Sequence, residues 1–222
     1  MVNVLDKVQP KNRIQLEQLI DYAFKHNIYD LNFIDTSEIT DMSKLFMGCE
    51  YNIDVSGWDV SNVTNMYSMF TWCKIFNSDI SNWDVSNVKN MNNMFYWCEN
   101  FNCDLSNWNV SNVTTMNNMF VACENFKGKG LENWDVSKVE DMRYMFYNCK
   151  NFNCDLSNWD MSKASHINEM FYGCKNFEGN GIEKWNLEKT LFYYDIFAGC
   201  DKVKLPSWYK AFLKRCNLEF FK

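Results

Sequence analysis

The feature that most constrains this chain is a beat of about 25 residues. Cys49, Cys73, Cys98, Cys123, Cys149, Cys174 and Cys200 follow one another at steps of 24, 25, 25, 26, 25 and 26. Trp58, Trp83, Trp108, Trp134, Trp159 and Trp185 keep the same step. Such a period belongs to repeat arrays, whose units have no face that buries itself alone and gain their core by stacking. Aligned on the beat, the units read DVSGWDVSNVTNMYSMFTWC, DISNWDVSNVKNMNNMFYWC, DLSNWNVSNVTTMNNMFVAC, LENWDVSKVEDMRYMFYNC, DLSNWDMSKASHINEMFYGC and IEKWNLEKTLFYYDIFAGC. A degenerate unit, LNFIDTSEITDMSKLFMGC, precedes them. Seven units therefore span residues 31–200, between terminal segments 1–30 and 201–222, within one structural domain.

Within a unit, three apolar residues fall at L-x-x-L-x-L spacing, as in Val55/Trp58/Val60 and Ile80/Trp83/Val85. The W-x-V step has period two, which predicts a short strand with Trp and Val on one face. Ser61, Asn62 and Thr64 then suit a turn or a helix N-cap. A second apolar set follows at i, i+3, i+4 and i+7, for example Met66, Met69, Phe70 and Cys73, the stripe of a short helix. The predicted fold class is an α/β repeat: a leucine-rich-repeat-like solenoid with a parallel β-sheet, short helices and helical caps at both ends. Stacked strands would rise about 4.8 Å per unit. One cap helix is predicted from Pro10 onward, bearing Ile14, Leu16, Leu19, Ile20 and Phe24. The other starts at Pro206 or Ser207 and carries Trp208, Phe212, Leu213 and Cys216. Two units hold one extra residue, in FKGKGLENW and FEGNGIEKW. There Gly128/Gly130 and Gly179/Gly181 suit left-handed loop conformations rather than a phosphate-binding turn.

The units closely resemble the BspA-like leucine-rich repeats of bacterial surface proteins, of the N-W-D-V-S-N-V-T-N-M-x-x-M-F variety. Asn82 through Val88 and Trp58 through Phe70 carry the match. The resemblance implies a leucine-rich-repeat architecture and a binding role, often adhesion to host proteins or other cells. It supplies no catalytic residue. Family members displayed on cells usually carry a signal peptide or a lipid-attachment cysteine. The opening MVNVLDKVQPKNRIQLEQ shows no basic region followed by an apolar stretch, so the expected location is cytoplasmic, with the cell surface or secretion by a non-classical route as the alternative.

Charge and composition narrow the function. The formal net charge is −6, which disfavours nucleic acid as a partner. It divides as −10 over residues 1–200 and +4 over 201–222. No apolar run reaches the roughly 18 residues of a membrane span. Only His26 and His166 could serve as histidine bases, and no nucleophile elbow, metal-ligand cluster or P-loop accompanies them. His166 stands where other units have Asn65, Asn90 and Thr115, as an exposed substitution would. No cofactor, metal or catalytic residue is expected. The cysteines read as small hydrophobes in the helical stripe, with Cys103 and Cys154 outside it, and free thiols suit a reducing compartment.

Two surfaces remain for a partner. Between Trp and Val stand Asp59, Asp84, Asn109, Asp135 and Asp160, flanked by Asp35 and Asn186, forming either an acidic stripe or a ladder closing turns with the following serines. Around the ladder cysteines stand Trp72, Tyr96, Trp97, Tyr144, Tyr147 and Tyr172, which either finish the core or form a binding patch. The expected function is a non-enzymatic module that binds another protein, as a monomer or an edge-paired dimer. A cell-surface adhesin binding host proteins is the alternative, and an enzyme with a site assembled across repeats is a third reading.

Overall fold

Residues 7–191 and 193–216 are described by a computed structural model. Among them two α-helices form, α1 at Arg13–Lys25 and α2 at Ser207–Arg215, with two short 3-10 turns at Leu131–Asn133 and Ile182–Lys184. The predicted α/β solenoid of parallel β-sheet and short helices is not formed. Extended pairing among the described residues is confined to isolated parallel bridges, five of which run Asp41–Asn65–Asn90–Thr115–Asp141–His166. Among the described residues no unit contains an α-helix.

The backbone explains both failures. The W-D-V step lies between two closed turns, Trp58 N–H to Val55 C=O and Val63 N–H to Val60 C=O, so no strand has room to grow. In the stretch expected to be helical, a left-handed residue recurs every four positions. Ser68 has φ +55° and Trp72 φ +67°, and Asn93 and Trp97 repeat the pattern one unit later. An α-helix needs uniform right-handed dihedrals, so this alternation excludes it. Instead alternate amides take different directions. Met69, Thr71 and Cys73 donate three residues back and close turns at 3.0–3.2 Å. Met66, Ser68, Phe70 and Trp72 donate to Asn90, Asn92, Met94 and Tyr96 of the next unit at 2.8–3.0 Å. The inter-unit pairing thus lies in the segment whose spacing looked helical. Successive three-residue turns return side chains to one side at the same 3–4 spacing as a helix, which is why the pattern misleads.

Side chains complete the stack. Phe46, Phe70, Phe95, Phe120, Phe146, Phe171 and Phe197 form a column of parallel rings with centroids 5.5–5.8 Å apart. The indole N–H groups of Trp58, Trp83, Trp108, Trp134, Trp159 and Trp185 each donate to a carbonyl of the preceding unit, at 2.8–3.3 Å. The ladder thiols behave alike: Cys73, Cys98, Cys123, Cys149, Cys174 and Cys200 donate to the carbonyl of the column phenylalanine one unit earlier. Donors that burial would otherwise orphan are therefore paired across the stack.

Burial pushes the Cys73 and Cys200 thiols up to about 12, and all ten cysteines are free. Cys103 and Cys154, outside the ladder, are also buried, and Cys103 donates to Ser78 C=O at 2.9 Å. Cys216 is exposed at the end of α2 rather than packed on its apolar face. A thiol titration of the native protein near neutral pH is expected to read one fast cysteine, Cys216. Cys49 and Cys200, both half-buried, should follow slowly and the remaining seven should react only on denaturation. Several rapid thiols would contradict the packing.

The ends are closed by the two helices. Asn12 caps α1 by accepting Gln15 N–H at 3.0 Å, and Leu16, Ile20 and Ala23 are buried against the first units. Ile14, expected on that apolar face, is instead exposed. Arg13 ties the helix to the array through Ser43 and Asp41. At the other end Tyr209 is buried, and the Trp208 indole donates to Ile182 C=O at 2.9 Å, one step beyond the tryptophan ladder. The two long loops adopt left-handed glycines, with Gly130 at φ +95° and Gly181 at φ +85°.

Candidate functional site

The aspartate row closes turns. Asp35, Asp59, Asp84, Asn109, Asp135, Asp160 and Asn186 each accept, through Oδ1, the amide two residues on, at 2.9–3.1 Å. These are Asx turns, and two further rows of them run through the units, for example at Asp79–Ser81 and Asn90–Asn92. The Ser86 hydroxyl and amide hold the Asp84 carboxyl below its ordinary range, and Ser137 does the same for Asp135. Asp59, Asp84, Asn109, Asp135 and Asp160 are exposed, but one carboxylate oxygen of each aspartate is already committed to the backbone.

The aromatic residues come together in two groups. Trp72 and Trp97 stack with centroids 5.0 Å apart and planes 16° from parallel, and Tyr96 sits 6.0 Å from Trp72. Two units further along, Tyr147 stacks on Tyr172 at 4.7 Å and 7°, with Tyr144 set edgewise to Tyr147 at 6.0 Å. Trp72 is 44% exposed and the other five are half-buried. No hydrogen bond or ring contact joins this row to the aspartate row among the described residues.

The backbone under the tryptophans is left-handed. The position before each ladder cysteine is left-handed in every unit, and Gly48, Gly173 and Gly199 fill it at φ +70° to +76°. Trp72 and Trp97 occupy it at φ +67° and +59°. A non-glycine residue there costs about 1–2 kcal/mol. Ala122 and Asn148 take the same conformation at φ +56° and +58°, so the left-handed turn belongs to the path of every unit.

Between the two groups the row is interrupted. Val121 and Ala122 stand where neighbouring units have Tyr96/Trp97 and Tyr147/Asn148. The gap opens a notch of about 270 Å³, lined by Tyr96, Asn118, Val121, Tyr144, Tyr147 and Glu169. Asn118, Val121 and Glu169 were not singled out by sequence reasoning. Their signal was the V-A-C triplet breaking a run of Y-W-C and Y-x-C.

His166 is half-buried rather than exposed, pairs through its backbone with Asp141, and has Nδ1 2.8 Å from the Ser165 hydroxyl. Among the described residues no group of His, Cys, Asp and Glu could hold a metal ion. No helix among them is long and apolar enough to cross a membrane.

One family, described as "Mycoplasma protein of unknown function, DUF285", matches the chain over residues 14–129 and again over 98–208. No curated protein and no solved structure matches it.

Proposed function

This chain belongs to the DUF285 family, and we propose that it is a non-enzymatic module that binds another protein through the aromatic row. The observation that carries this reading is the pair Trp72 and Trp97. Two large rings are held, partly exposed, on backbone that glycine fills in three other units. Tryptophan and tyrosine dominate binding hot spots because they offer large, rigid contact area with a polar edge. Exposed apolar side chains extend the surface beyond the tryptophans. Met47, Ile75 and Tyr51 are all open, and Tyr51 stacks on Tyr29 at 4.6 Å. The aspartate row plays the lesser part, since its carboxylates close turns. We place the module in a reducing compartment, because its buried thiols serve as hydrogen-bond donors across the stack.

The test replaces both tryptophans with the residue the backbone prefers. Trp72→Gly/Trp97→Gly is expected to keep the fold, with a melting temperature within about 5 °C of the parent. In pull-downs it should lose the partners that the parent and an Asp59→Asn/Asp84→Asn control retain. Retention of every partner by the glycine variant would remove the row as the site. A collapse in stability would show that the rings serve the core.

A further inference from the structure

The notch at Val121 sits in the middle of the aromatic row and has its own chemistry. Tyr96 walls it on one side, and Tyr144 and Tyr147 on the other. The Tyr147 ring is fixed by its stack on Tyr172, and Tyr144 meets it edgewise, so the two present a concave corner. The single charged lining residue is Glu169, half-buried beside the Tyr144 phenol, whose pKa burial and that carboxylate raise. The nearby Arg143 is already spent: its guanidinium is bidentate on Asp141, with Nε–Oδ1 2.9 Å and Nη2–Oδ2 2.6 Å.

We propose that this notch receives one cationic side chain, lysine or arginine, from the bound protein. The inference rests on the binding role of the aromatic row and adds what that row selects. Tyrosine faces attract a cation through their quadrupole, and Glu169 adds a counter-charge. An anion would be repelled by the Glu169 carboxylate. A neutral apolar side chain would desolvate that carboxylate and three phenols with nothing in return. The same row already makes this contact internally, since Lys74 Nζ lies 5.9 Å from the Trp97 ring centroid while pairing with Glu99 at 3.0 Å. Lys44 lies over Tyr67 in the same way.

The fourth unit supplies a clean variant. Tyrosine stands at the position of Val121 in three other units, so Val121→Tyr fills the notch with a residue the stack accepts. The probe is a capped Ser-Gly-Lys-Gly-Ser peptide, with a twin carrying norleucine for lysine, titrated into the full chain and followed by NMR. The lysine ε-methylene protons should move upfield and the Val121 methyl resonances should shift saturably. The norleucine twin should bind about tenfold more weakly or not at all. Glu169→Gln should weaken the lysine peptide about fivefold. Val121→Tyr should abolish its binding while leaving the melting temperature unchanged. Equal binding of both peptides overturns the proposal. So does retained binding by Val121→Tyr, or the absence of any Val121 shift at about 100 mM peptide, since contacts of this strength hold in the tens of millimolar. A negative titration beside loss of partners in Trp72→Gly/Trp97→Gly would sink the cation site alone. A positive titration with full partner retention in that variant would sink the wider row alone.

Discussion

Phe120→Ala is expected to lower the unfolding free energy by about 3–5 kcal/mol, the range for truncating a buried phenylalanine. The ring is fully buried at the centre of the column. It stacks on Phe95 at 5.6 Å and on Phe146 at 5.7 Å, and meets Phe126 at 4.4 Å. Its removal therefore opens a cavity at two unit-to-unit interfaces at once. Each unit in a repeat array is held only by its neighbours, so a weak central interface costs more than a weak terminal one. Phe197, 5% exposed and stacked on Phe171 alone among the column rings, is the comparison, and Phe197→Ala should cost less. Urea unfolding of both variants reads the difference. A loss below about 1.5 kcal/mol for Phe120→Ala would mean that the column relaxes to fill the gap.

Gly130→Ala is expected to be nearly as damaging, through the backbone instead of the core. Gly130 has φ +95°, and a Cβ there would lie 2.2 Å from the Ser106 amide nitrogen and 2.5 Å from the Leu105 carbonyl carbon. The left-handed conformation alone costs an L-residue about 1–2 kcal/mol. Forcing a methyl into closed packing adds about 1–3 kcal/mol, so about 2–5 kcal/mol is expected in all. Gly48→Ala separates the two contributions. Gly48 has φ +76° but open space around its Cβ position, so only the conformational part applies. Urea midpoints for the two variants should differ widely. Equal midpoints would show that the loop around Gly130 shifts to admit the methyl.

The period, the unit boundaries and the burial of the repeated Trp, Met, Phe and Cys positions were legible because spacing alone carries them. The backbone path was not. Met66, Met69, Phe70 and Cys73 have a helix's spacing, and the sequence around them holds no glycine or proline to flag the left-handed turns at Ser68 and Trp72. The Ser68 position holds no glycine in any unit, and at the Trp72 position the signal is Gly48, Gly173 and Gly199, which shows only when the units are compared position by position. The strand expectation failed for a related reason. Trp58 and Val60 do alternate, but Asp59 between them recruits the Ser61 amide and turns the chain. The Trp72–Trp97 pair was visible as aromatic residues off the apolar stripe. The notch at Val121 was not, because a missing ring is inconspicuous unless the units are compared position by position.

The Trp208 indole occupies the bond that a further repeat's tryptophan would make, so α2 docks on the array by imitating the next unit. Growth or loss of whole units inside such a gene leaves both closing helices facing surfaces they already fit. Length then becomes a property that can drift in steps of about 25 codons. Along such a series the tryptophan pair and the notch would travel as one block, because Tyr96 beside Trp97 walls the notch, while the count of units on either side sets their distance from the closing helices.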